Sequence, residues 1–248
     1  MNIWSKIVEE VKLRATAEKS LSYYLENLII SRSNIVDSIS SILASKLNSE
    51  ALVAADLKEF IWDALNNDQN SEEKITNDLL FFKANDPACK YYSTPLLFYK
   101  GFQGLATYRA AFSLWKDGRH TMALFLQNRA SEIFGVDIHP AARISGGVMI
   151  DHATGVVIGE TCEIEENVSI YQGVTLGGTG KHDGDRHPKI ASGVSIYASS
   201  TILGNIKIGK NAVVAAGSLV LSDVLPGKTV AGVPAKEIKR ELLNYSPI

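Results

Sequence analysis

The side chains best suited to chemistry lie in two short segments of the second half of the chain. Asp151 and His152 are adjacent, and Arg186 and His187 are adjacent further along. Histidine, with an unperturbed pKa of about 6.5, suits a general base near neutral pH. An arginine can hold a carboxylate through two parallel hydrogen bonds. We therefore expect His152 to act as a general base and Arg186 to bind an anionic group such as a carboxylate.

Aspartates supply the remaining groups that such a site needs. A carboxylate bonded to the second ring nitrogen of a histidine fixes its tautomer and stabilises the imidazolium that forms, and Asp137 is our candidate for that role. Asp151 and Asp86 are further carboxylates that can hold a cationic group. The alternatives are structural: Asp137 and Asp86 can also be turn residues, and His152 can simply stack at a corner of the fold.

Two other features carry weaker signals. The glycine-rich run at residues 177–181 resembles a phosphate-binding loop but lacks the strand-to-helix setting of a P-loop, so it does not predict a nucleotide triphosphate site. Cys89 and Cys162 form neither a disulfide framework nor a zinc-ligand cluster. Free cysteines are most often small buried hydrophobic residues, and we expect no acyl carrier among them.

The amino-acid composition changes near residue 135 and divides the chain into two halves, which must together position these groups. The first hundred residues contain no glycine, whereas residues 135–248 hold 16 of the 19 glycines. A glycine-free stretch rich in Leu, Ala, Glu and Lys favours helix, because nothing in it supplies the positive φ that tight turns need. Apolar spacing predicts helices at 21–29, 35–47 and 56–65, a turn at 85–87, and helix over 108–134 with a break at Gly118.

The second half repeats with a period of six residues, which is typical of a parallel β-helix. Three hexapeptides form one triangular coil, and the repeated aliphatic side chain points to the axis. Asp137 and His152 are about one coil apart in such a stack, so they can be neighbours. The repeated residues are Ile138, Ile144, Ile150, Val156, then Ile158, Ile164, Ile170, Leu176, then Ile190, Ile196, Ile202, Ile208, Val214 and Val220.

One step of this repeat is eight residues too long. Leu176 and Ile190 are 14 residues apart instead of six, which predicts an external loop at 177–189. The loop contains His182, Arg186 and His187. Functional groups concentrate on loops that a rigid scaffold carries, so the loop is where we expect the site.

Five segments resemble the signatures of bacterial and plant serine acetyltransferases, in order and in spacing. The pair Asp-His-Ala-Thr-Gly (151–155) and Asp-Arg-His-Pro-Lys (185–189) is the most specific, whereas Ala-Gly-Val-Pro-Ala (231–235) occurs in many hexapeptide acyltransferases. The other two are Val-Asp-Ile-His-Pro (136–140) and the glycine run at 177–181. The resemblance implies an α+β multidomain chain, with an all-α domain (1–134), a left-handed parallel β-helix (135–235) and a C-terminal tail (236–248). The handedness comes from the resemblance alone.

The same resemblance implies direct transfer of acetyl from acetyl-CoA to the hydroxyl group of L-serine, the first step of cysteine biosynthesis, without a metal or a tightly bound cofactor. It implies that His152 is the base, that Asp137 supports it, and that His187 lies beside the reacting groups. Serine would be bound by Asp86, Asp151 and Arg186. For CoA, small side chains allow close approach, and we expect contacts at Gly178, Thr179, Ala198, Ala216 and Lys236.

Assembly and regulation are also implied by the resemblance. Its members pack three chains side by side with active sites between neighbours, and their helical domains join two trimers into a hexamer. They are feedback-inhibited by L-cysteine. A C-terminal isoleucine, here Ile248, binds O-acetylserine sulfhydrylase, although Ser246 and Pro247 depart from the acidic and glycine residues often found there.

Two other activities fit parts of the pattern. A hexapeptide acetyltransferase acting on a sugar or antibiotic hydroxyl shares the scaffold and the histidine but does not need Arg186, Asp151 and Asp86. A zinc enzyme like the γ-type carbonic anhydrases would use His152, His182 and His187 as ligands.

Bulk composition limits the partners and the compartment. The net charge is −2 and is spread evenly, so nucleic acid and anionic membranes are poor candidates. The N-terminus lacks the apolar core of a signal peptide, and no apolar run approaches the roughly 20 residues that span a bilayer. We expect a cytoplasmic protein.

Overall fold

The computed structural model describes residues 2–50, 52–180 and 183–238, and the first half of these is helical. A 3₁₀ turn (Lys19–Leu21) precedes the second α-helix and a π-helical turn (Glu26–Ile30) follows it. The α-helices in the described residues are α1 (Ile3–Ala17), α2 (Ser22–Leu25), α3 (Ile35–Leu47), α4 (Ala54–Asn67), α5 (Ser71–Asn85), α6 (Ser93–Phe98), α7 (Lys100–Lys116) and α8 (His120–Phe134).

The apolar spacing predicted helix where α2, α3, α4, α7 and α8 lie, although not all of their bounds, and it did not predict α1, α5 or α6. The helix predicted at 35–47 is α3, and the one at 56–65 lies within α4. The helix predicted from 108 begins earlier, at Lys100, and Gly118 with φ +75° lies in the break between α7 and α8. The predicted segment 21–29 is helical but irregular, because its 3₁₀ and π turns change the register that regular spacing assumes.

The second half forms short parallel strands in five coils. In the described residues they are β1 (Val136–Ile138), β2 (Arg143–Ile144), β3 (Val148–Asp151), β4 (Val156–Ile158), β5 (Glu163–Ile164), β6 (Val168–Tyr171), β7 (Thr175–Gly177), β8 (Lys189–Ile190), β9 (Ser195–Ile196), β10 (Thr201–Leu203), β11 (Lys207–Ile208), β12 (Val213–Val214), β13 (Leu219–Val220), β14 (Thr229–Gly232) and β15 (Ala235–Glu237).

The strands stack into three faces. Face 1 contains β1, β4, β7, β10 and β13, and face 2 contains β2, β5, β8 and β11. Face 3 contains β3, β6, β9, β12 and β14, with β15 added antiparallel at its end. We call the turn from face 1 to face 2 the 1–2 corner, and the turn from face 3 to face 1 of the next coil the 3–1 corner. The prediction of a helical region followed by a parallel β-helix is confirmed.

The repeated aliphatic residues fill the axis of this solenoid, as predicted. Ile138 lies beside Ile158, and Leu176 lies between Ile158 and Ile202; all of them are buried. A coil normally takes 18 residues, but 20 separate Ile138 from Ile158 and 26 separate Leu176 from Ile202. The two extra residues fall at the 3–1 corner that contains His152. The eight extra residues form the predicted loop at the 1–2 corner.

The helices close the open end of coil 1 through a buried ion pair. Asp78 on α5 lies 2.6 Å from a guanidinium nitrogen of Arg109 on α7 and accepts a hydrogen bond from the Val148 N–H of β3 at 2.9 Å. Arg109 in turn donates to the carbonyl of Ser145. Because breaking such a pair leaves an uncompensated buried charge, these contacts fix α5 and α7 on coil 1.

None of the helices among the described residues is long and apolar enough to cross a membrane.

Candidate active site

A pocket of about 450 Å³ lies where the helical region meets coil 1. Asp86, at the end of α5, and Asp151, at the end of β3, both line it, and so does His152. We call it the Asp86–Asp151 pocket. Its remaining walls come from α6, α7 and the segments beside them: Phe82, Ala88, Phe98, Tyr99, Lys100, Gly101 and Ile150.

The backbone at His152 has an uncommon conformation. His152 (φ +57°) and Ala153 (φ +64°) both occupy the left-handed region, which costs non-glycine residues free energy. Asp151 Oδ1 accepts the His152 N–H at 2.8 Å, and Ala153 is fully buried. The two extra residues of this corner therefore turn the imidazole outward, and the His152 side chain is 72% exposed.

Close packing of α7 on β3 forms one wall of the pocket. A side chain at Gly101 would place its Cβ 1.9 Å from the carbonyl oxygen of Ile150, so only glycine allows this approach. The preceding residues, Tyr99 and Lys100, line the same pocket as Asp151, and Lys100 donates to the Thr154 hydroxyl.

The Asp86 carboxylate has two partners near the pocket. Its Oδ1 accepts the Ala88 N–H at 2.8 Å, which is the turn that Asn-Asp-Pro predicts. Burial, followed by a hydrogen bond to Asp86 and the charge of that carboxylate, raises the pKa of Tyr99 to about 12. Tyr99 is therefore a neutral donor next to Asp86.

A second group of polar side chains, the Arg186 cluster, lies at the 1–2 corner. It consists of Glu160, Thr161, Arg186 and His187. Arg186 donates to Glu160 Oε2 at 2.6 Å and to the carbonyl of Gly184 at 3.0 Å. The guanidinium lowers the pKa of Glu160, chiefly through that hydrogen bond. Arg186 keeps further N–H groups with which it can bind a carboxylate.

Thr161 determines the tautomer of His187. The Thr161 hydroxyl oxygen accepts the N–H groups of Arg186 and His187, at 3.0 and 3.1 Å, so its own proton is directed to His187 Nδ1 at 2.9 Å. The Thr161 N–H donates to the same nitrogen at 3.2 Å. Nδ1 is therefore an acceptor, and the proton of the neutral ring is on Nε2. Burial, followed by the charge of Arg186, lowers the pKa of His187.

Asp137 lies on face 1 of coil 1, and His139 lies at the 1–2 corner that follows it. Asp137 Oδ1 accepts a hydrogen bond from Gln127 of α8 at 2.7 Å. His139 Nδ1 accepts the Ala141 N–H, and burial is the main cause that lowers its pKa. In the described part of a single chain Asp137 makes no hydrogen bond to His152.

The candidate CoA contacts are divided between two corners. Gly178 lies against the stem of Arg186 at the 1–2 corner, and Thr179 is exposed beside Gly204. Ala198 and Ala216 follow β9 and β12 at the 3–1 corner, the corner of His152. Lys236 is exposed on β15.

One chain thus brings Asp86, Asp151 and His152 together, and separately Arg186 and His187. These two groups lie at different corners of the triangular solenoid. Arg186, the residue predicted to bind a substrate carboxylate, therefore does not line the pocket that holds the two carboxylates; the cationic side chain among the lining residues there is Lys100. His182 and Ile248 lie outside the described residues, and within these no group of three metal-binding side chains occurs.

The sequence did not point to Glu160, Thr161, Tyr99 or Gln127. A signal for the first two existed: Glu160 and Thr161 precede Arg186 and His187 by 26 residues, the length of the enlarged coil. Comparing corner positions coil by coil would have placed them beside the loop. Tyr99 and Gln127 reach the solenoid from the helical region, where no repeat gives the register.

Family models match both parts of the chain. The N-terminal serine acetyltransferase model matches residues 3–107, and the bacterial transferase hexapeptide model matches residues 187–222. A curated relative, serine acetyltransferase 2 of Arabidopsis thaliana, is 50% identical over 96% of this chain and 73% of its own length. The serine acetyltransferase of Escherichia coli K12 is 46% identical over 94% of this chain and 86% of its own.

Solved structures agree in fold. The crystal structure of Neisseria gonorrhoeae serine acetyltransferase in complex with serine has a TM-score of 0.93 and 47% identity, covering 95% of this chain and 97% of that one. Serine acetyltransferase complexes with cysteine (TM-score 0.94, 45% identity, 96% and 100% covered) and with CoA (TM-score 0.92, 44% identity, 95% and 98% covered) also match.

Proposed function

The chain belongs to the serine acetyltransferase family, and from that premise we propose how its side chains carry out the reaction. The reaction transfers the acetyl group of acetyl-CoA to the hydroxyl group of serine, giving O-acetylserine and CoA in cysteine biosynthesis. Acetyl-CoA is a co-substrate that is consumed, and the ligands of this chain are serine, CoA and cysteine.

The observation that carries the mechanism is the Asp86–Asp151 pocket with His152 at its mouth. Two carboxylates attract the ammonium group of a zwitterionic amino acid, and a sugar or chloramphenicol has no such group. An amino acid bound there presents its hydroxyl to an exposed imidazole. The pocket therefore favours serine over the neutral alcohols that related hexapeptide acetyltransferases use.

His152 is the general base in this proposal. As the serine oxygen attacks the thioester carbonyl, His152 takes the hydroxyl proton; the C–S bond then breaks, and the thiolate of CoA receives that proton from the imidazolium. Asp137 is the proposed support for the imidazolium. His187 is a donor rather than a base, because its Nδ1 is occupied by Thr161 and only Nε2–H is free to act.

The carboxylate of serine needs Arg186, and we place that contact between two chains. The 3–1 corner of one chain would supply Asp86, Asp151 and His152, while the 1–2 corner of its neighbour would supply Arg186 and His187. Three chains related by rotation satisfy three such sites at once. A trimer, joined in pairs into a hexamer through the helical regions, is the assembly that we propose.

Three further proposals concern regulation, partner and compartment. Cysteine differs from serine by sulfur for oxygen, so it would compete for the same pocket as a feedback inhibitor. Binding of O-acetylserine sulfhydrylase through Ile248 and a cytoplasmic location also stay proposals, and Ile248 lies outside the described residues.

The test of the substrate is the initial rate of CoA release with L-serine, D-serine, homoserine, a galactoside and chloramphenicol. We expect a strong preference for L-serine, with O-acetylserine identified by mass. Turnover of another alcohol without L-serine turnover would contradict the assigned roles of Asp86, Asp151 and Arg186. His152→Ala should lower kcat by about 10²–10⁴, while His120→Ala, an exposed histidine at the start of α8, should not.

The test of the shared site is complementation between two inactive variants. Chains with His152→Ala and chains with Arg186→Ala, refolded together in equal amounts, should regain about one quarter of wild-type activity, since that share of interfaces pairs two intact corners. Each variant refolded alone should stay inactive. Failure to regain activity in mixed assemblies would place both residues in a site within one chain.

A further inference from the structure

Two tyrosines stack on each other next to the candidate site and have no role in the mechanism above. The rings of Tyr171 and Tyr197 are 5.1 Å apart between centroids and only 11° from parallel. Tyr197 is 42% exposed. Large aromatic side chains that remain exposed on a rigid sheet are frequent binding elements.

The tyrosines belong to a column of residues that begins in the Asp86–Asp151 pocket. The register of face 3 pairs Asp151 with Tyr171. It also aligns β6, β9, β12 and β14 so that the residues following their buried aliphatics are neighbours. These residues point outward, because they alternate with the buried Ile170, Ile196 and Val214. The column consists of Asp151, Tyr171, Tyr197, Ala215 and Ala231.

Beyond Tyr197 the side chains of the column become small. One face of the Tyr197 ring is covered by Tyr171, but the next two positions are alanines, so no aromatic ring among the described residues continues the stack. Ala198 and Ala216 border the column at the 3–1 corner. The methyl groups leave room for a flat ring on the outer face of Tyr197.

The lysine side chain of Lys236 lies at the far end of the same column. Lys236 is the antiparallel partner of Ala231, and directly paired residues project from the same side of a sheet. Its exposed ammonium group therefore lies on the side of the tyrosines, three strand spacings from Tyr197, or about 14 Å, and two strand spacings from Ala215, or about 10 Å. An aromatic platform and a lysine at that distance suit a nucleotide with a phosphate on its ribose.

We propose that Tyr197 is the platform on which the adenine ring of acetyl-CoA stacks, over Ala215, with Lys236 binding the ribose 3′-phosphate. This rests on the proposed function, which brings acetyl-CoA to His152. From Asp151 to the slot at Ala215 is three coils, about 14 Å, and the pantetheine arm with its pyrophosphate is long enough to span it. Tyr171 supports the ring of Tyr197 from below and separates the adenine from the amino-acid pocket.

The experiment compares acetyl-CoA with acetyl-pantetheine, which lacks the adenosine. Tyr197→Ala should raise KM for acetyl-CoA roughly 10-fold, the usual effect of losing one base–aromatic stack, and leave KM for acetyl-pantetheine and for serine unchanged. Tyr197→Phe keeps the ring and should behave as the wild type. Lys236→Gln should weaken the binding of acetyl-CoA but not the binding of acetyl-dephospho-CoA, which lacks the 3′-phosphate. Leu221→Ala, which shortens an exposed side chain after β13, is the control.

Other outcomes overturn the proposal. An equal loss with both donors in Tyr197→Ala would show that the ring does not contact adenosine. A changed assembly size in sedimentation would assign the tyrosines to a subunit contact. Adenosine 3′,5′-bisphosphate should inhibit the wild type competitively against acetyl-CoA, with a weaker inhibition constant in Tyr197→Ala; an unchanged constant contradicts stacking even if kcat falls. Failure of the wild type to acetylate serine would instead contradict the proposed function.

Discussion

The hydroxyl oxygen of Thr161 lies 2.9 Å from Nδ1 of His187, and this contact fixes which ring nitrogen carries the proton. The hydroxyl also accepts two backbone N–H groups, from Arg186 and His187. One threonine thus orients the loop that carries both residues. Because the threonine lies in the turn between β4 and β5 of coil 2, the long loop of coil 3 is fixed on the neighbouring coil rather than by its own conformation alone.

Stability should depend on pH through His187. Its lowered pKa means that the unfolded chain, with a histidine pKa of about 6.5, takes up a proton that the folded chain does not, so stability falls as the pH decreases below that value. In His187→Gln this contribution is lost. Urea unfolding between pH 8 and pH 5 should therefore show a variant deficit that shrinks toward low pH. A deficit that is constant, or larger at pH 5, would contradict a buried neutral His187; His120→Gln is the control.

Glu160 should position Arg186 for the substrate carboxylate. Glu160→Gln removes the charge-assisted hydrogen bond at 2.6 Å, so the guanidinium is held less firmly. We expect KM for serine to rise roughly 10-fold, the effect of about 1.4 kcal/mol, with kcat and KM for acetyl-CoA little changed. Glu166→Gln, an exposed glutamate of the same coil, is the matched control. A lower KM in Glu160→Gln would mean that Glu160 competes with the substrate for Arg186.

Gly101 should be intolerant of a side chain. In Gly101→Ala the new Cβ would clash with the Ile150 carbonyl and push α7 from β3, at a cost of about 1–3 kcal/mol. Since α7 carries one wall of the Asp86–Asp151 pocket, KM for serine should increase together with the loss of thermal stability. Gly104→Ala is the comparison: the atoms nearest to its Cβ all belong to the Val136 side chain, the first at 3.0 Å, and that side chain can shift. An unaffected KM for serine in Gly101→Ala would show that the position of α7 does not determine serine binding in the pocket.

The sequence predicted those parts of the structure that the six-residue repeat governs and missed those that lie outside it. The six-residue repeat points one aliphatic side chain per strand to the axis, so Ile138 and its successors could be aligned without a structure. Arg186 lies in the loop that interrupts the repeat, so the repeat pointed to it, whereas His152 was identified by its residue type and by the resemblance to the serine acetyltransferases. Their position at different corners was not predicted, because that requires assigning each hexapeptide to a face. Tyr99 could not be found at all, since the docking of α7 depends on a glycine contact 49 residues away.

The last prediction concerns Asp78, whose contact with β3 sets the relative positions of Asp86 and Asp151 in the pocket. Asp78 is bound to Val148, and from these two residues α5 runs eight residues to Asp86 while β3 runs three to Asp151. The rises are similar, about 12 Å along a helix and about 10 Å along a strand, so the pair at one end determines the separation of the carboxylates at the other.

Asp78→Asn leaves the Arg109 guanidinium buried without its counter-charge, which should destabilise the protein by about 3–5 kcal/mol. Where the variant still folds, KM for serine should rise while KM for acetyl-CoA does not, because the CoA contacts that we propose lie in coils 3 to 5, far from α5. Exchanging both residues, Asp78→Leu with Arg109→Met, should restore only part of the stability, since Val148 and Ser145 lose their hydrogen-bond partners. A double variant with full stability and a normal KM for serine would show that packing alone positions α5, and that the ion pair does not set the geometry of the pocket.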